Sequence, residues 1–168
     1  VKLTATRVNI SIRDQVATVL LDMTLTNPSG TPQEAQVLMP VPEGVAVRSL
    51  QYDGVGPEPH AEVLALDEAR RIYESIVSRL KDPALVEFVG LNLIRTSAFP
   101  VPPGSSQHVR LTYEQVLKAD GQRVELVIPR SEALVSPEVA WEVTADIVST
   151  TPIATFYSPS HDLTTTRE

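Results

Sequence analysis

Residues 8–26 read VNISIRDQVATVLLDMTLT, a run that folds as two strands and a turn. Val8-Asn9-Ile10-Ser11-Ile12-Arg13 alternates apolar and polar side chains with period two, the signature of a strand with one buried face. Asp14-Gln15 supplies a tight turn into Val16 to Thr26, a second run dense in β-branched residues, and Asn27-Pro28-Ser29-Gly30 closes that run with turn formers. Two adjacent strands joined so tightly form an antiparallel pair.

The same grammar continues outward. Ala35 to Met39 and Val45 to Tyr52 are short strands separated by Pro40-Val41-Pro42-Glu43-Gly44, whose prolines confine this connection to an edge or a loop. Asp53-Gly54 is a hairpin signal, with a further strand ending near Leu64. Ala69, Ile72, Tyr73, Ile76, Val77 and Leu80 then fall on one stripe at helical spacing, which predicts an amphipathic helix over about 67–81. Asp67 is placed to cap it, Arg70 and Glu74 form an i,i+4 pair, and Lys81-Asp82-Pro83 ends it. Burial of the stripe contributes on the order of 10 kcal/mol gross.

Beyond Pro83 the strand pattern returns in Ala84 to Val89, Leu91 to Phe99 and the alternation of Val109, Leu111 and Tyr113 with Arg110, Thr112 and Glu114. Asp120-Gly121 predicts a hairpin into Val124 to Ile128, and Val139 to Val148 and Ile153 to Tyr157 read as later strands. Short strands joined by turns around one helix predict a mainly β fold: an antiparallel β-sandwich, with a partly open barrel as the structural competitor.

Composition narrows the function classes. Fourteen Lys and Arg against 21 Asp and Glu give a net charge of -7, which repels phosphate backbones and anionic lipid and argues against nucleic acid as a partner. With no Cys there are no disulfides, thiolate metal sites or thiol nucleophiles. No stretch approaches the roughly 18 apolar residues of a spanning helix, so this segment is not expected to insert into a membrane.

No catalytic, cofactor-binding or metal-binding residue is assigned. His60, His108 and His161 are far apart and lack a second ligand at metal-type spacing. Ser106 and His108 share a strand face at i,i+2, but neighbouring side chains there point in parallel, and no nucleophile-elbow motif accompanies them. Asp67 and Glu68 suit a helix start, and Arg70, Arg71, Arg79 and Lys81 its solvated face. Trp141 with Phe156-Tyr157 could form a sugar platform, the basis of a carbohydrate-binding alternative. The alternation Val139, Trp141, Val143 favours core packing instead, as expected also for Tyr73 and Tyr113. No glycine-rich nucleotide loop is present.

The order of these pieces resembles the VIT (vault protein inter-alpha-trypsin) domain of inter-alpha-trypsin inhibitor heavy chains. The resemblance is carried by Val16-Ala17 to Asn27, Glu34 to Pro42, Glu43 to Val47, and Ala69 with Tyr73 on the helix. It continues through Ala84, Val86 and Glu87, then Phe99-Pro100-Val101-Pro102-Pro103-Gly104 leading to Val109-Arg110-Leu111-Thr112-Tyr113, and reaches Val127-Ile128-Pro129. Val37-Leu38-Met39 stands where the family usually has a Phe, and Asn92-Leu93-Ile94 where it has Asn-x-Phe.

The resemblance implies a single domain over 1–168, clearest over 1–130, with 131–168 adding strands. It implies a non-enzymatic interaction or scaffold role and a following von Willebrand factor type A domain, whose Asp-x-Ser-x-Ser string is absent from 1–168. It further implies a secreted, periplasmic or cell-surface parent, in keeping with a bacterial source. The expected partner is protein: a neighbouring domain of the parent or another extracellular protein, met through the loop at Val55 to Pro59 or an edge strand.

Overall fold

The computed structural model describes residues 1–53, 62–65, 67–69, 71–72, 91–129 and 139–167. The opening hairpin forms as its sequence predicts. β1 (Lys2–Arg13) and β2 (Val16–Thr26) pair antiparallel with Arg13 opposite Val16, so Asp14 and Gln15 alone make the turn. Asp14 takes the left-handed conformation at φ 52°, which Asp and Asn tolerate better than most residues.

β3 (Gln33–Pro42), β4 (Ala46–Tyr52) and β5 (Glu62–Val63) follow, then β6 (Leu91–Val101), β7 (Ser106–Val116), β8 (Ala119–Asp120), β9 (Arg123–Val124) and β10 (Ala140–Val148). They build a five-stranded sheet ordered β10-β1-β2-β7-β4, a three-stranded sheet β3-β6-β5, and the small β8-β9 ribbon. The first two sheets face each other across one core. From the larger come Val8, Ile10, Val19, Leu21, Met23, Leu25, Val109, Leu111 and Tyr113; the smaller supplies Ala35, Val37, Met39, Val41, Ile94, Ala98 and Val101. Alternation along β2 sends Ala17, Val19, Leu21, Met23 and Leu25 inward and leaves Thr18, Asp22 and Thr24 on the outer face. The fold is a sandwich, and the larger sheet ends on open strands β10 and β4, so it does not close into a barrel.

Pro40 and Pro42 lie inside β3, and β3 is an outer strand of its sheet, as the prolines require. An edge strand has one side on which a missing N–H costs no ladder bond. Residues 67–69 and 71–72 are helical. Ala69 is fully buried with Leu64 and Leu93, and Ile72 and Leu38 pack against them, so the start of the predicted apolar stripe docks on the outer face of the smaller sheet. Glu68 pairs with Arg95 of β6 at 3.2 Å. Asp67 does not cap: it sits inside the first turn, where its exposed carboxylate reaches Arg71 at 3.9 Å. The remainder of that stripe, the Arg70 and Glu74 pair, Gly54 and the strand Ala84 to Val89 lie outside the described residues.

Three sequence expectations change. β10 pairs with β1 in parallel, from Ala5 opposite Ala140 to Arg13 opposite Val148, within an otherwise antiparallel sheet. Parallel neighbours are remote in sequence, and no turn motif announces them. Val124 to Ile128 is not one strand: only Arg123 and Val124 pair, with β8, while Leu126 and Ile128 drop onto the main core. Ile153 to Tyr157 forms no strand, and Phe156 and Tyr157 are exposed.

Candidate functional site

The two long central strands, β2 and β7, carry the polar outer face of the larger sheet. Their register sets Asp22 opposite Arg110 and Thr24 opposite His108. The diagonal then brings His108 Nδ1 to 2.7 Å from Asp22 Oδ1, while Arg110 Nε donates to Asp22 Oδ2 at 3.1 Å. Asp53, just past β4, completes the group: its Oδ1 accepts the His108 backbone N–H at 2.6 Å and its Oδ2 lies 3.4 Å from Arg110 Nη2. Two carboxylates thus answer one guanidinium and one imidazole, across three strands, in half-solvated surroundings. Exposed and partly exposed pairs of this kind contribute little to stability, about 0 to 1 kcal/mol each.

Ser106 does not join this group. Its hydroxyl bonds Thr26 Oγ1 at 2.8 Å, and Thr26 in turn meets Thr4 Oγ1 at 2.9 Å, forming a hydroxyl ladder across β7, β2 and β1. The structure therefore brings His108 to an aspartate but not to Ser106. His161 Nδ1 meets the neighbouring Ser160 Oγ at 2.8 Å, and His60 lies outside the described residues. Among the described residues no group of three His, Asp or Glu side chains could hold a metal ion.

Of the aromatic candidates, Trp141 is half-buried against the main core, as its alternation predicts. Phe156 and Tyr157 are exposed, contrary to the core expectation, and the Arg123 guanidinium stands 5.9 Å above the Tyr157 ring. The two halves of the proposed sugar platform are therefore in different environments. Tyr113 is in the core as expected, where burial pushes its phenol up to about 12.

A second surface is β10, an outer strand of the larger sheet, where the sequence points only to an edge strand in general. Its outer face is tied to β1 by three cross-strand contacts: Arg7 with Glu142 at 3.3 Å, Thr144 with Asn9 at 2.6 Å, and Arg13 with Asp146 at 2.8 Å. Its inner-facing residues Trp141, Val143, Ala145 and Ile147 continue the apolar face of Thr6, Val8, Ile10 and Ile12. Val143 remains 42% exposed and Ile147 40%, so the second sheet does not cover this end of the first. The loop at Val55 to Pro59 lies outside the described residues.

Among solved structures, the chain is similar to a variant of a two-domain M1 zinc metallopeptidase bound to L-arginine (10% identity, TM-score 0.37). It is also similar to an M1 zinc metallopeptidase from Deinococcus radiodurans (11% identity, TM-score 0.37). These matches cover 72% and 71% of this chain and only 22% and 21% of those chains, and likeness at that level carries no argument about activity. No curated protein matches the chain. The family model of the vault protein inter-alpha-trypsin domain matches residues 3–113, from the start of β1 to Tyr113 in β7. That span holds the paired hairpin, the edge prolines, the smaller sheet and the larger sheet apart from β10 and the end of β7, and the chain belongs to the VIT domain family.

Proposed function

We propose that residues 1–168 act as one non-enzymatic interaction or scaffold domain of a larger protein, outside the cell and beside a von Willebrand factor type A domain. VIT domains are a non-catalytic domain family, and membership supports the first part of this reading. The observation that carries it is the contrast between two surfaces. The polar groups of the larger sheet's outer face are engaged with one another, His108 with Asp22, Arg110 with both aspartates and Ser106 with Thr26, which leaves no poised nucleophile and base there. An entire strand, β10, is meanwhile exposed along almost its full length. A surface with its chemistry neutralised and its edge open suits contact with protein.

No helix among the described residues is long and apolar enough to cross a membrane. The family resemblance supports the extracellular setting and the von Willebrand neighbour. Cross-linking mass spectrometry of the parent protein tests the reading. Cross-links from this domain to a neighbouring domain or a second protein are the expected result. Absence of any such link, together with labelling by a serine-directed fluorophosphonate that Ser106→Ala abolishes, would overturn it in favour of an enzyme.

A further inference from the structure

The two outer strands of the larger sheet, each paired on one side only among the described residues, are built differently. Edge strands are templates for further pairing, and natural sheets protect them with bulges, prolines and charges. β4 carries a register shift between Val47 and Ser49 and a charged Arg48 paired with Glu114. β10 has neither bulge nor proline: its register with β1 runs unbroken over nine residue pairs, Ala140–Val148 contains no Pro, Gly, Lys or Arg, and its two charges, Glu142 and Asp146, are both acidic.

The direction of its backbone groups follows from one bond. The Val148 carbonyl accepts from the Asp14 N–H on the β1 side at 2.8 Å. Backbone groups alternate sides along a strand, so those of Val143, Ala145 and Ile147 face the open edge. Two rows of side chains flank that edge. On one face stand Val143, Ala145 and Ile147; on the other, Glu142 and Asp146, each about two-thirds exposed although paired to Arg7 and Arg13.

This pattern selects an occupant. A second copy adding β10 antiparallel about a two-fold at Thr144, the register that uses the whole strand, sets Glu142 directly opposite the other copy's Asp146. Like charges so placed are destabilising. A strand with Lys or Arg opposite Glu142 and Asp146 instead extends the rows that Arg7 and Arg13 begin, in alternating sign, while its apolar side covers Val143 and Ile147. We propose that the open edge of β10 is a β-augmentation site for an extended protein segment in which apolar residues alternate with basic ones. This proposal rests on the interaction-domain reading and names its surface and partner chemistry.

The test uses the chain 1–168 and the peptide Val-Lys-Val-Thr-Val-Lys-Val-Thr-Val, with a control in which Glu replaces Lys. The proposal expects saturable, salt-sensitive binding of the basic peptide, new amide-exchange protection at Val143, Ala145 and Ile147, and no binding of the acidic one. Ala145→Pro removes an N–H that faces the open edge and spares the bonds to β1, so it should weaken binding at least tenfold with circular dichroism unchanged. Should that variant lose β10, the paired change Glu142→Gln and Asp146→Asn serves instead, with a severalfold loss expected.

Equal binding of both peptides, no binding of either, or affinity unchanged in the variants would overturn the proposal. So would a dimer of the chain alone in sedimentation that Ala145→Pro dissolves, since the occupant would then be a second copy. A natural protein partner held equally well by Ala145→Pro would remove this surface and leave the interaction reading standing; a chain that binds neither peptide nor protein would remove both.

Discussion

Asn27 shows how one polar residue can hold several segments. It is fully buried, and each of its groups is used: Nδ2 donates to the carbonyls of Thr31 at 2.8 Å and Val101 at 2.9 Å, and Oδ1 accepts from Ser29 N and Oγ. Its backbone N–H bonds Ser105 O and its carbonyl accepts from Gly104 N, so the end of β2, the turn to β3 and the turn between β6 and β7 meet there. Asn27→Ala strands the buried Val101 carbonyl, while the exposed Thr31 carbonyl keeps Ser29 Oγ, and should cost about 1 to 3 kcal/mol in urea unfolding. Thr6 presents the opposite case: it is fully buried, and its hydroxyl has no hydrogen-bond partner among the described residues. Thr6→Val keeps the shape and removes an unsatisfied group, so the same measurement should show stabilisation of about 1 kcal/mol.

At the scale of elements, β10 is held to the sheet at its far end by a side chain. Asp14 Oδ1 accepts from the Thr150 N–H at 2.7 Å and from its hydroxyl at 2.9 Å. These bonds, the backbone one first, hold the carboxyl below its usual value of 3.8. A lowered carboxyl pKa contributes to the folded state fully above the ordinary value, and the contribution is lost as pH falls through the lowered one. The Thr150 amide resonance should therefore titrate with a midpoint below 3.8, and Asp14→Asn should abolish that titration while tolerating the left-handed backbone. A midpoint at or above 3.8 would show that the bond does not persist in solution.

For the whole molecule, the buried members of the main core all precede Pro129 among the described residues. Every buried member of the main cluster lies between Val8 and Tyr113, and among the described residues beyond Pro129 only Trp141 packs against it. A chain ending at Pro129 should thus keep a single cooperative thermal transition, lowered by several degrees, because burial of core side chains at roughly 1.5 to 3 kcal/mol each is retained. It should also self-associate more readily, since losing β10 bares the backbone edge of β1, a twelve-residue strand. Circular dichroism melts and sedimentation on the two lengths check both outcomes. A chain to Pro129 that fails to melt cooperatively would show β10 to be integral to the core.

Local chemistry alone determined much of this protein. Period-two alternation in residues 8–26 and 109–114, the turn at Asp14-Gln15, the edge position implied by Pro40 and Pro42, and the start of a helix with Ala69 and Ile72 inward all follow from side-chain polarity and backbone preference within a few residues. So did family membership, because the VIT signature is an order of such local pieces. What tertiary structure decided is what depends on partners remote in sequence. The parallel pairing of β10 with β1 joins residues more than 130 positions apart, and a strand's own pattern does not say which neighbour it will take. Val139 to Val148 has the alternation of a half-buried strand, yet beyond Trp141 the smaller sheet stops short of it and leaves Val143 and Ile147 exposed. The grouping of Asp22, Asp53, His108 and Arg110 likewise depends on the register of three strands, which no single segment encodes.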